Sequence, residues 1–314
     1  MTAGGANGAN VLRAASGSAC GKVILLGEHV VVHGRPALAA GIARYVHARV
    51  APRADGVRTL SVDDPRVRAA VDEAAVLAGL DESAGFELEL CGDLPVSVGL
   101  GSSAAMAVAL LRALSASIRR PLAIERLAES ANQLERQFHG RPSGIDTTAA
   151  AHGGLVWFEI GPPRVVRPIA APAGLAFVVA LSGTRHATGE MVGGLAARRA
   201  ADREVYDRVF DAIGCLVLAA RAAIECDDRP RLGKLMTMNH ELLRACGIST
   251  PVLDRVVERA LALGALGAKL TGGGGGGAVL VLPAGDDPEG LAHALRAEGI
   301  EAFTAHIAAP GGDA

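Results

Sequence analysis

Only nine of the 314 residues are Phe, Tyr or Trp, one Trp, two Tyr and six Phe, so the interior of this chain must be assembled from small aliphatic side chains. Without large rings to anchor a core, burial depends on close approach of backbones, which favours helices laid directly on a sheet. Half of the residues are hydrophobic and 20% are charged, and the length suits either two domains of about 150 residues or one large one. That apolar share excludes disorder, and 40 glycines without a three-residue period exclude a collagen-like rod.

Lys and Arg total 31 against 33 for Asp and Glu. A net charge of -2 offers no single-sign field for nucleic acid or an anionic membrane, so neither is expected as a partner. The five cysteines, Cys20, Cys91, Cys215, Cys226 and Cys246, are odd in number and form no Cys-x-x-Cys pair, the pattern of reduced thiols in a cytoplasmic protein. Met1 to Gly17, rich in Gly, Ala and Asn, lacks the apolar core of a signal peptide and is expected to be a loose tail. No uninterrupted apolar run reaches the roughly 18 residues of a membrane-spanning helix.

Strand and helix signals alternate. Phe86, Leu88 and Leu90 alternate with Glu87 and Glu89, the period of a half-buried strand. Gly99-Leu100-Gly101-Ser102-Ser103 then feeds the Ala-rich run to Ser115, predicting a glycine loop and a serine-capped helix. Leu122 to Phe138 has helical apolar spacing, with Pro121 suited to its first turn and Glu135 at the border of the buried stripe. Phe177–Leu181 and Ala278–Leu282 read as buried strands, with helical patterns at 191–226 and 251–264. Pro162-Pro163 and the stretch Pro168 to Pro172 break the pattern, predicting a domain boundary near 172, hence domains of 1–172 and 173–314.

Four clusters carry chemistry. Six glycines, Gly272 to Gly277, run straight into the strand at Ala278 and follow a predicted helix; the choice lies between a ligand-approaching loop and a flexible turn. Gly99 to Ser103 offers free backbone N–H groups and two hydroxyls at a helix start, a setting for phosphate or Mg²⁺, although a plain cap has the same look. It is neither a dinucleotide fingerprint, since Ala104 breaks the spacing, nor a P-loop. Lys22, flanking Val23 to Leu26 and followed by Gly27-Glu28-His29, can aim an ammonium at an anion or a hydroxyl, or be solvated surface. Glu135 and Asp146 bracket the turn Pro142-Ser143-Gly144; one carboxylate can hold a metal while the other takes a proton, or they can serve as a surface pair and a helix cap.

Taken in order, these stretches resemble the GHMP kinase superfamily, in the form found in its mevalonate-phosphorylating branch. The resemblance rests on Gly21-Lys22-Val23-Ile24-Leu25 with Gly27-Glu28-His29, on Gly99 to Ala105, on His139-Gly140 with Pro142-Ser143-Gly144-Ile145-Asp146, and on Lys269-Leu270-Thr271 with the glycine tract. It implies an α+β fold of two domains, the first like domain 2 of ribosomal protein S5 and the second ferredoxin-like. It also implies transfer of a phosphoryl group from ATP, with Mg²⁺, to the hydroxyl on C5 of mevalonate. By the same resemblance Asp146 is the catalytic base or orients the hydroxyl, and Lys22 stabilises the developing alkoxide. Ser103 and Glu135 ligate Mg²⁺. Gly99, Gly101, Ser102, Ser103 and Ala104 cradle the phosphates, and Glu28, His29 and Thr188 line the acceptor side. A homodimer is compatible with it.

Cys20 stands where the family usually has proline, and Pro95 to Val98 lacks the usual small residue before the phosphate loop; neither removes a group the chemistry needs. The rival readings are a sugar, phosphomevalonate or mevalonate-3 kinase of the same superfamily, and a non-catalytic ligand sensor on the same scaffold.

Overall fold

The computed structural model describes residues 12–184 and 188–312. The first half of the chain runs β1 (Ala15–Leu26), β2 (Ala37–Arg53), β3 (Arg58–Leu60), α1 (Pro65–Ala78), β4 (Gly85–Gly92), α2 (Ser102–Ser117), α3 (Ile124–Leu134), α4 (Ile145–His152), β5 (Leu155–Glu159) and β6 (Val165–Ile169). The second half runs β7 (Ala176–Leu181), α5 (Thr188–Ala201), α6 (Arg203–Glu225), α7 (Arg229–Ala245), α8 (Pro251–Ala262), β8 (Gly267–Thr271), β9 (Ala278–Leu282), α9 (Pro288–Ala297) and β10 (Ala302–His306).

The long strand β2 organises the first sheet. β1 pairs antiparallel along it, from Ala15 opposite Val50 to Leu26 opposite Leu38, while β4 and β5 share it in turn through Val46–Arg53 and Ala37–Ala40. The second sheet has the order β10-β7-β9-β8 with every pairing antiparallel, which is the ferredoxin-like order. Its strands β7, β8 and β9 are buried along their whole length, as their continuous aliphatic sequences require. The shortage of rings is met by close approach: α2 lays a buried Ala- and Leu-rich helix on β1, and α7 meets β8 at Gly233 and Gly267, where neither backbone leaves room for a Cβ.

Several local expectations are corrected. Ala15, Ser16 and Gly17 are not tail but the start of β1, paired with Val50, Arg49 and Ala48; residues 1–11 lie outside the described ones. The N-cap of α2 is Gly101 in the left-handed region, with no serine capping bond, so both hydroxyls are left for other partners. Pro121 precedes α3, which starts at Ile124 and tightens into a 3₁₀ turn over Glu135–Gln137. Two helices share 191–226, because Asp202 breaks the run and caps α6 through Val205 N. The glycine tract is preceded by strand β8, not by a helix, so it closes an antiparallel hairpin with β9.

The two halves are joined beyond the β6–β7 connection. After β10 the chain returns to the first sheet, where Ile42 bridges Ile307, Ala308 N donates to Gly41 O at 2.9 Å and Cys20 N donates to Gly312 O at 2.8 Å. No helix among the described residues is long and apolar enough to cross a membrane.

Candidate active site

Lys22 lies in the buried part of β1, only 2% exposed, and a buried ammonium must be paired. Its Nζ donates to Gly99 O at 2.9 Å and stands 3.2 Å from Oδ1 of Asp146. The backbone repeats the docking, since Lys22 N donates to Leu100 O at 2.9 Å. Asp146 reaches this point from the first turn of α4, behind Gly144 in the left-handed region, and its side chain remains 35% exposed. It does not cap α4; its carboxylate is turned to Lys22 and solvent.

The helix start at Ser102 forms the floor of the same place. Gly101 is left-handed, with φ 74°, and a Cβ there would lie 2.7 Å from Cγ of Lys22. Glycine therefore allows both the turn and the straight course of the lysine stem. Gly101→Ala is expected to fold yet lose at least tenfold in kcat, because the ammonium is displaced from Asp146; steady-state rates beside a far-ultraviolet circular dichroism spectrum check this.

Glu135, at the end of α3, is 2% exposed and contributes Oε1 with no hydrogen-bond partner. Burial, and next the charge of Asp146, push its carboxyl up to about 7, against the opposing pull of the Ser103 hydroxyl and Lys22. Ser103 Oγ lies 3.4 Å from Nε2 of His139, whose own imidazole is held below its usual value chiefly by burial.

The glycine tract comes to this loop from the second half. Gly272 packs on Gly99 and Gly277 on Val98, with no slack for side chains, while Thr271 Oγ1 accepts from Ile24 N at 2.9 Å and donates to Ile24 O at 3.1 Å. Gly273 O holds Nε2 of His29 at 3.1 Å. Burial pulls the His29 imidazole down to about 4, so it is neutral near pH 7.

Lys22, Gly99, Gly101, Ser102, Ser103, Ala104, Glu135 and Asp146 are thus gathered together. Glu28 is turned elsewhere: Lys269 donates to its Oε1 and Asn239 Nδ2 to its Oε2 at 3.1 Å, so both oxygens are taken inside the protein. Thr188 opens α5, and its side chain lies outside the described residues. Lys269 and Asn239 carry no assigned role in the sequence reading. The available signal was a lysine inside the strand Gly267–Thr271, every residue of which is buried, because such a charge must find a partner.

Residues 66–154 match the family model described as GHMP kinases N terminal domain, and residues 219–301 match GHMP kinases C terminal. The chain belongs to the GHMP kinase family. Within that family it is similar to mevalonate kinases. It is 36% identical to that of Archaeoglobus fulgidus over 280 residues, covering 87% of this chain and 94% of the relative. It is 34% identical to that of Pyrococcus horikoshii over 303 residues, covering 87% and 89%. The crystal structure of L. major mevalonate kinase in complex with R-mevalonate superposes with a TM-score of 0.82 at 35% identity, over 94% of this chain and 96% of that one.

Proposed function

We propose that the protein transfers the terminal phosphoryl group of ATP to the hydroxyl on C5 of mevalonate, giving 5-phosphomevalonate and ADP. The observation that carries this reading is the contact of Lys22 with Asp146 at the foot of the serine-bearing helix, beneath the glycine hairpin. Asp146 orients the acceptor hydroxyl and takes its proton as the oxygen bonds to phosphorus and the bond to the ADP oxygen breaks. Lys22 offsets the negative charge that grows on the attacking oxygen. Backbone N–H groups from Gly99 to Ala104 hold the phosphates at the positive end of α2. Positioning and charge neutralisation then supply most of the rate.

The donors present suit Mg²⁺, because a buried carboxylate oxygen without a hydrogen-bond partner and a nearby serine hydroxyl are hard oxygen ligands. Among the described residues no three His, Cys, Asp or Glu could hold a metal by themselves, which agrees with a site completed by phosphate oxygens and water. Glu135 and Ser103 would hold the ion, which when bound neutralises phosphate charge. His29 faces the acceptor, and Glu28 serves through it by fixing the turn that carries it. Domains of 1–172 and 173–314 are part of the same proposal, supported by the passage from the first sheet to the second between Ile169 and Ala176. So is a cytoplasmic location, supported by five free cysteines.

The test is ADP release with ATP and a panel of acceptors: mevalonate, phosphomevalonate, galactose and homoserine. Mevalonate is expected to dominate by kcat/KM, and preference for another acceptor would replace it. A second expectation concerns pH. The folded Glu135 carboxyl titrates at about 7 against 4.5 for the free group, so between those values the folded state holds a proton that the unfolded state has lost. Stability from this source is complete below the lower value and lost as pH rises through the upper one. Glu135→Gln is therefore expected to raise the Tm of the nucleotide-free protein at about pH 8 while weakening its use of Mg²⁺. Scanning calorimetry and a Mg²⁺ titration of the rate read the two effects, and an unchanged Tm at that pH would contradict the assignment.

A further inference from the structure

His139 stands half-exposed beside Ser103 and Glu135, and it is tied to both of them. Its backbone N donates to Glu135 O at 2.7 Å, and the same carbonyl takes Phe138 N at 3.0 Å, closing the 3₁₀ turn that carries the carboxylate. Its Nε2 lies 3.4 Å from Ser103 Oγ on α2 and 3.9 Å from Oε2 of Glu135, near enough to the first for a hydrogen bond and too far from the second. The turn is held from outside as well. Gln137 Nε2 donates to Glu73 Oε2 of α1 at 3.0 Å, and the Arg66 guanidinium lies 5.8 Å from the centre of the Phe138 ring. An anchored backbone therefore brings the imidazole of His139 to Ser103.

A serine hydroxyl has one proton and two lone pairs. Where it gives a lone pair to a cation, its proton must point away from that charge, toward an acceptor the cation does not occupy. Glu135 also draws on the Ser103 hydroxyl, but a carboxylate that ligates the ion is spent on it. Nε2 of a neutral imidazole with its proton on Nδ1 is the acceptor left beside the hydroxyl. Ser103 needs such a partner, because it lies inside the first turn of α2, where Gly101 is the N-cap and no capping bond fixes the serine rotamer. Residues that orient the ligands of a metal in this way contribute to its affinity without touching it.

We infer that His139 is a positioning residue for the metal site: by accepting the Ser103 O–H at Nε2 it turns the lone pairs of that oxygen toward the ion. The inference rests on the reading that Ser103 and Glu135 hold Mg²⁺. Acting through Ser103, His139 contributes to nucleotide binding only when the cation is present.

The probe is the β,γ-imido analogue of ATP, titrated calorimetrically into the full chain with Mg²⁺ and, separately, with EDTA. The ratio of the two dissociation constants reads the metal without any turnover. The wild type is expected to bind more tightly with Mg²⁺, and Ser103→Ala to lose most of that advantage; failure of either overturns the metal reading and the inference with it. Given both, His139→Ala is expected to shrink the advantage by about tenfold or more, with the dissociation constant in EDTA changed less than about threefold. His139→Gln, whose amide oxygen reaches the place of Nε2, should recover most of it. In the Ser103→Ala background His139→Ala should cost nothing further, because it acts through that hydroxyl. If His139→Ala does not fold by circular dichroism, His139→Phe, a ring without an acceptor, takes its place. An unchanged advantage, equal losses with Mg²⁺ and with EDTA, or a full additional loss on top of Ser103→Ala overturns the inference and leaves the metal reading intact.

Discussion

Asp146→Asn is expected to lower kcat by about 10²–10⁴ while changing KM for ATP less than about threefold. Asparagine keeps the shape and the contact with Lys22, but it neither accepts the hydroxyl proton nor balances the ammonium 3.2 Å away. Lys22→Met should have an effect of similar size from the other side, because the alkoxide loses its counter-charge and Asp146 loses its partner. Since the two groups act as a unit, the double variant should be little worse than either single one. Steady-state ADP release with a separate measurement of nucleotide affinity decides the matter. An Asp146→Asn enzyme with near-normal turnover on mevalonate would sink the mechanism.

The second large effect concerns stability. Lys269 is fully buried and Glu28 is 2% exposed, and each has the other as its ionic partner. Burial pushes the Glu28 carboxyl up and the Lys269 ammonium down, while each charge holds the other ionised. Removing one member leaves a buried charge unmatched, which costs about 3–5 kcal/mol. Lys269→Met alone should therefore lower Tm by roughly 10 °C. Glu28→Gln together with Lys269→Met should regain most of that, because no buried ion is left and the amide oxygen can still accept from Asn239 Nδ2. Calorimetry on the two single variants and the double one forms a closed cycle, and strictly additive losses would show that the ion pair is not the source.

Much of the candidate site was legible because each part sits in a short segment with its own chemical signature. Lys22 flanks an apolar run, Ser103 opens an Ala-rich helix, and Asp146 follows a Pro-Ser-Gly turn. Their convergence was legible only through the order of the motifs, since no local pattern states that β1 and α4 meet. The misread elements have local causes. Ser102 and Ser103 looked like caps, but left-handed Gly101 fills that position and places both serines inside the helix. Strand β8 is five residues long and follows α8 closely, so its short apolar run has no period of its own, and the sequence shows only the helical pattern at 251–264 ahead of the glycine tract. The pairing of Glu28 with Lys269 spans 241 positions in sequence. Only the docking of the second half on the first creates it, and burial of the whole strand is what makes it necessary.

The chain beyond β10 fastens the second half back to the first: Gly312 O takes Cys20 N, Gly311 O takes Arg112, and Gly311 N donates to His152 O at the end of α4. Glu28 and Lys269 make a separate rivet through the middle. With two such seams the halves are held against swinging apart like jaws, and the hairpin between β8 and β9, with Gly272 packed on Gly99 and Gly275 N bonded to Ile248 O, belongs to the lacing.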